Sequence, residues 1–187
     1  MKNIIDSIEE NPIIAAIRDE SEIEKAIDSS VSTVFLLCTD IFNIKRLVDK
    51  IKMNNKRVFI HMDFIEGLGR DHKTIDYITQ VIKPDGIIST RNNQIKHAKE
   101  NNLFTIQRFF LIDSLSLETT IKTVKSVKPD MIEVMPGIIP GIINDLSKQL
   151  SVPIIAGGLV GSKEDIISVL KVGALGVSVG KNDLWYL

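Results

Sequence analysis

The sequence predicts an α/β protein, a compact (β/α)8 barrel of the TIM type with short loops, in one domain spanning residues 1–187. Three features predict it. Eight short apolar runs rich in β-branched residues recur along the whole chain, as strands buried on both faces should. Amphipathic helical stripes separate them, and strict alternation of the two implies parallel pairing. The last two runs end in small residues, IIAGGL at 154–159 and GVSVG at 176–180. Backbone N–H groups at such ends can approach an anion closely, and the loops after strands 7 and 8 form the usual phosphate cradle of this barrel.

In order, the strand runs are residues 13–17, 33–37, 57–61, 86–89, 104–108, 131–134, 153–156 and 176–179. Between the second and third, Ile44, Leu47, Val48 and Ile51 fall on one helical face at i, i+3, i+4, i+7. Ile75-Ile78-Ile82, Ile121-Val124 and Ile166-Ile167-Leu170 follow the same rule. Turn signals stand where helices should hand over to strands: Asn54-Asn55, Lys83-Pro84-Asp85-Gly86, Asn101-Asn102, Lys128-Pro129-Asp130 and Val172-Gly173. Eight units in 187 residues leave about 23 residues each. Barrels of this type usually run to roughly 250 residues, so no large lid is expected over the mouth.

Composition narrows the functional classes. A net charge of -1 gives no global field toward nucleic acid or membrane, so any RNA contact needs a local patch. The densest is Lys45, Arg46, Lys50, Lys52, Lys56 and Arg57, on and after the second unit's helix; a plain solvated face is the competing reading. One cysteine, Cys38, excludes an internal disulfide and suits a reducing compartment. No apolar run reaches membrane-span length, and the first residues break with acids too early for a signal peptide. A cytoplasmic protein is expected.

Ligands of a barrel sit at the carboxyl ends of its strands, so the polar residues there are the candidates. They are Arg18-Asp19, Cys38-Thr39-Asp40, His61-Met62-Asp63 with Glu66-Gly67, Ser89-Thr90, Gln107-Arg108, Glu133 with Pro136-Gly137, Gly157-Gly158, and Ser178 with Gly180. His61, Asp63 and Glu66 have the chemistry of a metal site, or of hydrogen-bonding groups in a polar mouth. Asp63 and Glu133 are acid–base candidates whose separation the sequence leaves open. Gln107-Arg108 suits an anionic or polyol ligand, or a salt bridge. Phe109-Phe110-Leu111 either packs beneath the site or forms a contact between copies of the chain. No P-loop, CxxC pair or GxSxG elbow is present, and neither a cofactor nor a resident metal is expected.

Taken together, HMDFIEGL (61–68), DGIIST (85–90), TIQRFFLIDS (105–114), IEVMPG (132–137) and IIAGGL (154–159) resemble the glycerol-3-phosphate-responsive transcription antiterminators of Gram-positive bacteria. IIAAIRDE (13–20) and FLLCTDIFNI (35–44) fit too, so the resemblance covers nearly the whole chain. It implies a regulatory protein, not an enzyme, that senses glycerol 3-phosphate. It also implies action on the leader mRNA of glycerol-uptake and glycerol-metabolism genes. Carried over by position, it implies that Gly157, Gly158 and Ser178 hold the phosphate. Gln107, Arg108, His61, Asp63 and Glu133 would face the glycerol end. Two departures stand out: Arg18 where the family would have Lys, and SVGKNDLW after the last strand where a Ser/Thr-rich segment is typical. Gly180 and Lys181 can still serve a phosphate, by backbone N–H and by point charge. The competing function is an enzyme on the same barrel, such as a metal-dependent glycerophosphodiester phosphodiesterase.

Overall fold

The computed structural model describes residues 2–187. Eight parallel strands close a barrel: β1 (Ile13–Ile17), β2 (Thr33–Leu36), β3 (Arg57–His61), β4 (Gly86–Ser89), β5 (Phe104–Phe110), β6 (Met131–Met135), β7 (Ile154–Gly157) and β8 (Gly176–Val179). Each pairs with the next in sequence, and β1 pairs with β8 through Ile14↔Ser178 to shut the ring. The helices are α1 (Lys2–Glu10), α2 (Ile23–Asp28), α3 (Ile44–Met53), α4 (His72–Tyr77), α5 (Asn92–Glu100), α6 (Ser114–Val127), α7 (Pro140–Gln149) and α8 (Lys163–Leu170).

Strand alternation divides the side chains between two cores. Ile14, Phe35, Phe59, Ile88, Phe104, Ile106, Met131 and Ile155 fill the barrel interior. Within it Phe35, Phe59 and Phe104 form an edge-to-face chain with ring centroids 5.8 Å apart. The intervening residues, among them Ala15, Val34, Val58, Ile87, Ile132 and Val177, pack under the outer helices. The stripe Ile44, Leu47, Val48 and Ile51 is fully buried, as are Ile75, Ile78 and Ile82. On α8 the buried pair is Ile166 and Val169; Ile167 is exposed, against the expected stripe.

Helix α1 has no counterpart among the elements expected from the sequence. Its Ile4 and Ile8 join the interior cluster, so it plugs the end of the barrel opposite the mouth. The plug sits hard on β8, where a Cβ at Gly176 would stand 2.8 Å from Ile8 Cγ2. The turn signals fall where expected, and the two Lys-Pro-Asp triplets build one lock twice. Lys83 and Lys128 take left-handed φ of 58° and 55°. Asp85 then accepts from Val58 N at 2.9 Å, and Asp130 from Thr105 N at 2.9 Å. A lysine from the helix one unit earlier reaches the carbonyl of each turn lysine, Lys52 of α3 to Lys83 and Lys99 of α5 to Lys128.

Candidate functional site

At the carboxyl ends of the strands opens a cavity of about 480 Å³, with Arg18, Arg108, Met135, Gly158, Ser178, Gly180 and Lys181 in its wall. Its floor is a buried ion pair. Arg108, pointing inward from β5, donates Nε–H to Glu133 Oε2 at 2.6 Å, and Ser178 donates Oγ–H to Glu133 Oε1 at 2.5 Å. Glu133 is fully buried and Arg108 nearly so. Both carboxylate oxygens of Glu133 are therefore committed, and Arg108 is held with its guanidinium against the cavity. Gly157 is required beneath this group, because a Cβ there would overlap Glu133 Oε1 and lie 2.5 Å from Ser178 Oγ.

Two backbone segments form the rim of the cavity beside this ion pair. Gly137, after the cis Met135–Pro136 peptide, donates its N–H to Gly158 O at 3.0 Å. A Cβ on Gly137 would come within 2.6 Å of Gly157 N, so the ends of β6 and β7 touch backbone to backbone. Gly158 and Leu159 then take left-handed φ of 76° and 62° in succession. Such a conformation is costly for leucine and concentrates at ligand-binding loops. Ahead of α8, Gly161 N and Ser162 N donate to Asp165 Oδ2 at 3.0 and 2.9 Å, so these two amides are committed within the loop. Gly158, Gly180 and three cations border the cavity. Lys181 reaches across to Gly161 O at 3.3 Å. Arg18 lies exposed in the mouth, its Nε 4.0 Å from the Cβ position of Gly180. No group among the described residues pairs with the Arg18 side chain.

The other expected residues divide three ways. His61 lies on the barrel side of β3, buried, with its ring stacked on Phe64 at 4.3 Å. Its Nδ1 accepts from Asp63 N at 3.3 Å, whereas Nε2 is buried without a partner. Burial, then the Arg108 charge, pull its pKa down to about 3 against the opposing pull of Asp63. The ring is therefore neutral at physiological pH and carries its proton on Nε2 as an unused donor. Asp63 is occupied: Oδ2 accepts from Thr90 N and Oγ1, each at 2.9 Å, and Oδ1 from Arg91 Nε at 2.9 Å. Burial pushes its carboxyl up, but the Thr90 and Arg91 hydrogen bonds outweigh that and leave it below the ordinary range.

Ser89 and Gln107 are placed outside the mouth, on the helix side of the sheet. Ser89 donates to Gln94 at 2.6 Å and Gln107 to Asn92 at 2.6 Å, fastening the sheet to the first turn of α5. Alternation gives the reason: Gln107 and Arg108 are neighbours on one strand, and only one can face inward. Asp19 caps the short helix Glu20–Glu22, and Glu66 sits in a two-residue ladder, Thr39–Asp40 against Ile65–Glu66. Both border a second cavity of about 490 Å³ that shares Arg18 and Leu37 with the first. Among the described residues, no three His, Cys, Asp or Glu side chains converge as metal ligands. Cys38 is half-buried; burial, with Asp19, Glu22 and Glu20 nearby, raises its thiol to about 11, an unreactive group. Phe109 and Leu111 pack against the core, while Phe110 is 54% exposed. Met135, Leu159 and Phe64 were missed, since nothing in an apolar residue's type marks it as lining a mouth.

The six basic residues near α3 are each answered. Lys45 pairs with Asp49, Arg46 with Glu20 at 2.7 Å, and Lys50 with Glu24. Lys52 and Arg57 share Asp85 at 3.9 and 3.8 Å, and Lys56 donates to the carbonyls of Ser29 and Val31. No helix among the described residues is long and apolar enough to cross a membrane.

A family model described as glycerol-3-phosphate responsive antiterminator matches residues 13–185. A curated relative from Escherichia coli K12, the uncharacterized protein YgcP, is 35% identical over 180 residues, 96% of this chain and 94% of its own. The glycerol uptake operon antiterminator regulatory protein of Listeria monocytogenes superposes with a TM-score of 0.90 at 36% identity, over 94% of this chain and 95% of its own. A glycerol uptake operon antiterminator-related protein of Thermotoga maritima gives 0.84 at 32%, over 94% and 98%. Orotidine 5'-phosphate decarboxylase of Pyrococcus horikoshii, 17% identical with a TM-score of 0.68 over 89% of this chain and 88% of its own, shares the fold alone.

Proposed function

The chain belongs to the glycerol-3-phosphate responsive antiterminator family, and on that premise we propose that it is a non-enzymatic cytoplasmic sensor. It binds glycerol 3-phosphate in the barrel mouth and acts on leader mRNA to promote transcription through terminators ahead of glycerol genes. The observation that carries the ligand is the cavity wall: Arg18, Arg108 and Lys181 around Gly158 and Gly180. Three cations and close backbone suit a phosphate, and each charge-assisted hydrogen bond contributes about 1.5–3 kcal/mol. Arg108 is pre-oriented by Glu133 and Ser178, so little ordering cost falls on binding. The glycerol end then lies toward His61, whose Nε2–H lacks an acceptor.

The phosphodiesterase reading loses support from the same side chains. General acid–base work needs a carboxylate free to exchange a proton. Glu133 has both oxygens bonded, to Arg108 and Ser178, and Asp63 has both bonded, to Thr90 and Arg91. Calorimetry with sn-glycerol 3-phosphate, glycerol and inorganic phosphate tests the proposal, with a glycerophosphodiester turnover assay alongside. Binding of the first with much weaker binding of the other two, and no turnover with Mg²⁺, Ca²⁺ or Zn²⁺, is expected. Turnover abolished by Glu133→Ala would overturn the sensor in favour of the enzyme.

A further inference from the structure

The second mouth cavity has a chemistry opposite to the first. Its wall holds Asp19, Asp40 and Glu66, with Arg18 on the border it shares with the anion site. Two of these acids have capacity to spare. Asp19 is taken up as a helix cap, accepting from Ser21 N through Oδ1 and from Glu22 N, whereas Asp40 accepts from Phe42 N and Asn43 N through Oδ1 alone and keeps Oδ2 free. Glu66 is exposed, and its carboxylate has no partner among the described residues. Two further groups in that wall are independent of the acids. Thr39 is 7% exposed, yet its hydroxyl bonds to nothing among the described residues. Phe64 stacks one face on His61 and is 49% exposed, its ring forming part of the cavity wall.

Carboxylates beside an open aromatic face are what an ammonium group recognises, by charge and by attraction to the ring. A bare divalent ion fits poorly, because no three of these carboxylates converge at coordinating distance among the described residues. The neighbouring cavity already attracts phosphate, and the two are contiguous through Arg18 and Leu37. Resting on the anion-site reading above, we infer that the mouth takes a zwitterion: a phosphate ester whose alcohol carries an ammonium group. The phosphate lies against Arg18, Arg108 and Lys181, and the ammonium lies among Asp40, Glu66 and Phe64.

Titration calorimetry of the intact chain with sn-glycerol 3-phosphate, sn-glycero-3-phosphoethanolamine and sn-glycero-3-phosphocholine tests this. At least one ammonium diester is expected to bind ten-fold or more tightly than the monoester. In Glu66→Gln that ratio should fall below three. A wild-type ratio of one or less, with the monoester still bound, overturns the second subsite and leaves the sensor intact. The second subsite is equally overturned if Glu66→Gln leaves the ratio unchanged. Failure of all three compounds to bind overturns the anion site, and the zwitterion inference with it.

Discussion

At the scale of single residues, the mouth depends on two buried polar groups. Glu133 and Arg108 form a pair with side chains 0% and 4% exposed, and Ser178 completes it. A buried pair of this kind is weak evidence of stabilisation, since desolvation opposes the attraction. Its role here is to aim Arg108. His61 is the second group, neutral because burial lowers its pKa from 6.5 to about 3. The sign of the linkage follows. Unfolded His61 takes up a proton near pH 6.5 while the folded form refuses it until about 3, so the unfolded state binds more protons in between. Stability is full above pH 6.5 and falls as pH drops through that window, at up to about 1.4 kcal/mol per pH unit. Urea titrations at pH 6.5 and pH 5 should show the wild type losing about 1.5–2 kcal/mol more than His61→Gln does. Equal losses in both proteins would mean that His61 is solvated or already charged in the fold.

At the scale of elements, most of the barrel was legible because eight buried strands leave eight apolar runs, and β1, β3, β4 and β8 have the residues expected of them. Helix α1 was not legible: Ile4, Ile5 and Ile8 cover little more than one turn, and the surface they pack on exists only once the barrel has closed. The site was legible as a set of strand ends, and strand parity sorts that set. Arg108, Glu133 and Ser178 share the inward face, whereas Ser89 and Gln107 turn to α5. Alternation of Gln107 with Arg108 carried that information in the sequence; the inversion of Gly158 and Leu159 to left-handed φ did not show there. That loop supports a test. In Gly158→Asp, a side chain must sit at φ +76° with its Cβ 3.1 Å from Met135 Cε, and its carboxylate faces the phosphate site. The backbone change should cost about 1 kcal/mol, while glycerol 3-phosphate binding should vanish. Gly141→Asp, whose Cβ meets nothing within 4 Å, should retain it. Wild-type affinity in Gly158→Asp, measured by calorimetry, would move the phosphate off the β7 loop.

At the scale of the whole molecule, the proposed action on leader RNA needs a basic surface on a chain of net charge -1. The α3 patch carries six basic residues, but Asp49, Glu20, Glu24 and Asp85 sit among them as partners. A phosphate arriving there must displace an acid from Lys45, Arg46, Lys50, Lys52 or Arg57, or backbone carbonyls from Lys56. The carboxyl ends of α6 and α7 differ. Lys125 and Lys128 border a groove of about 360 Å³ with Gln149, Ser151 and Val152, and Lys148 stands beside it. No acid among the described residues pairs with any of the three lysines. Lysines also offset the negative end of a helix dipole, so the patch has a second reason to exist. Salt dependence separates the two, because only cations in contact with phosphate release counterions, about 0.7 of one each on single strands. Lys125→Gln, Lys128→Gln and Lys148→Gln combined should weaken leader-RNA binding at least tenfold and flatten the log–log salt slope by about two. Arg46→Gln, Lys50→Gln and Lys52→Gln combined remove as much charge and should leave the slope unchanged. The α6–α7 triple should not alter glycerol 3-phosphate affinity, since α6 and α7 end at the face of the barrel opposite its mouth. A slope that falls only in the α3 triple would assign the RNA to α3 and leave the lysines of α6 and α7 to their helix ends.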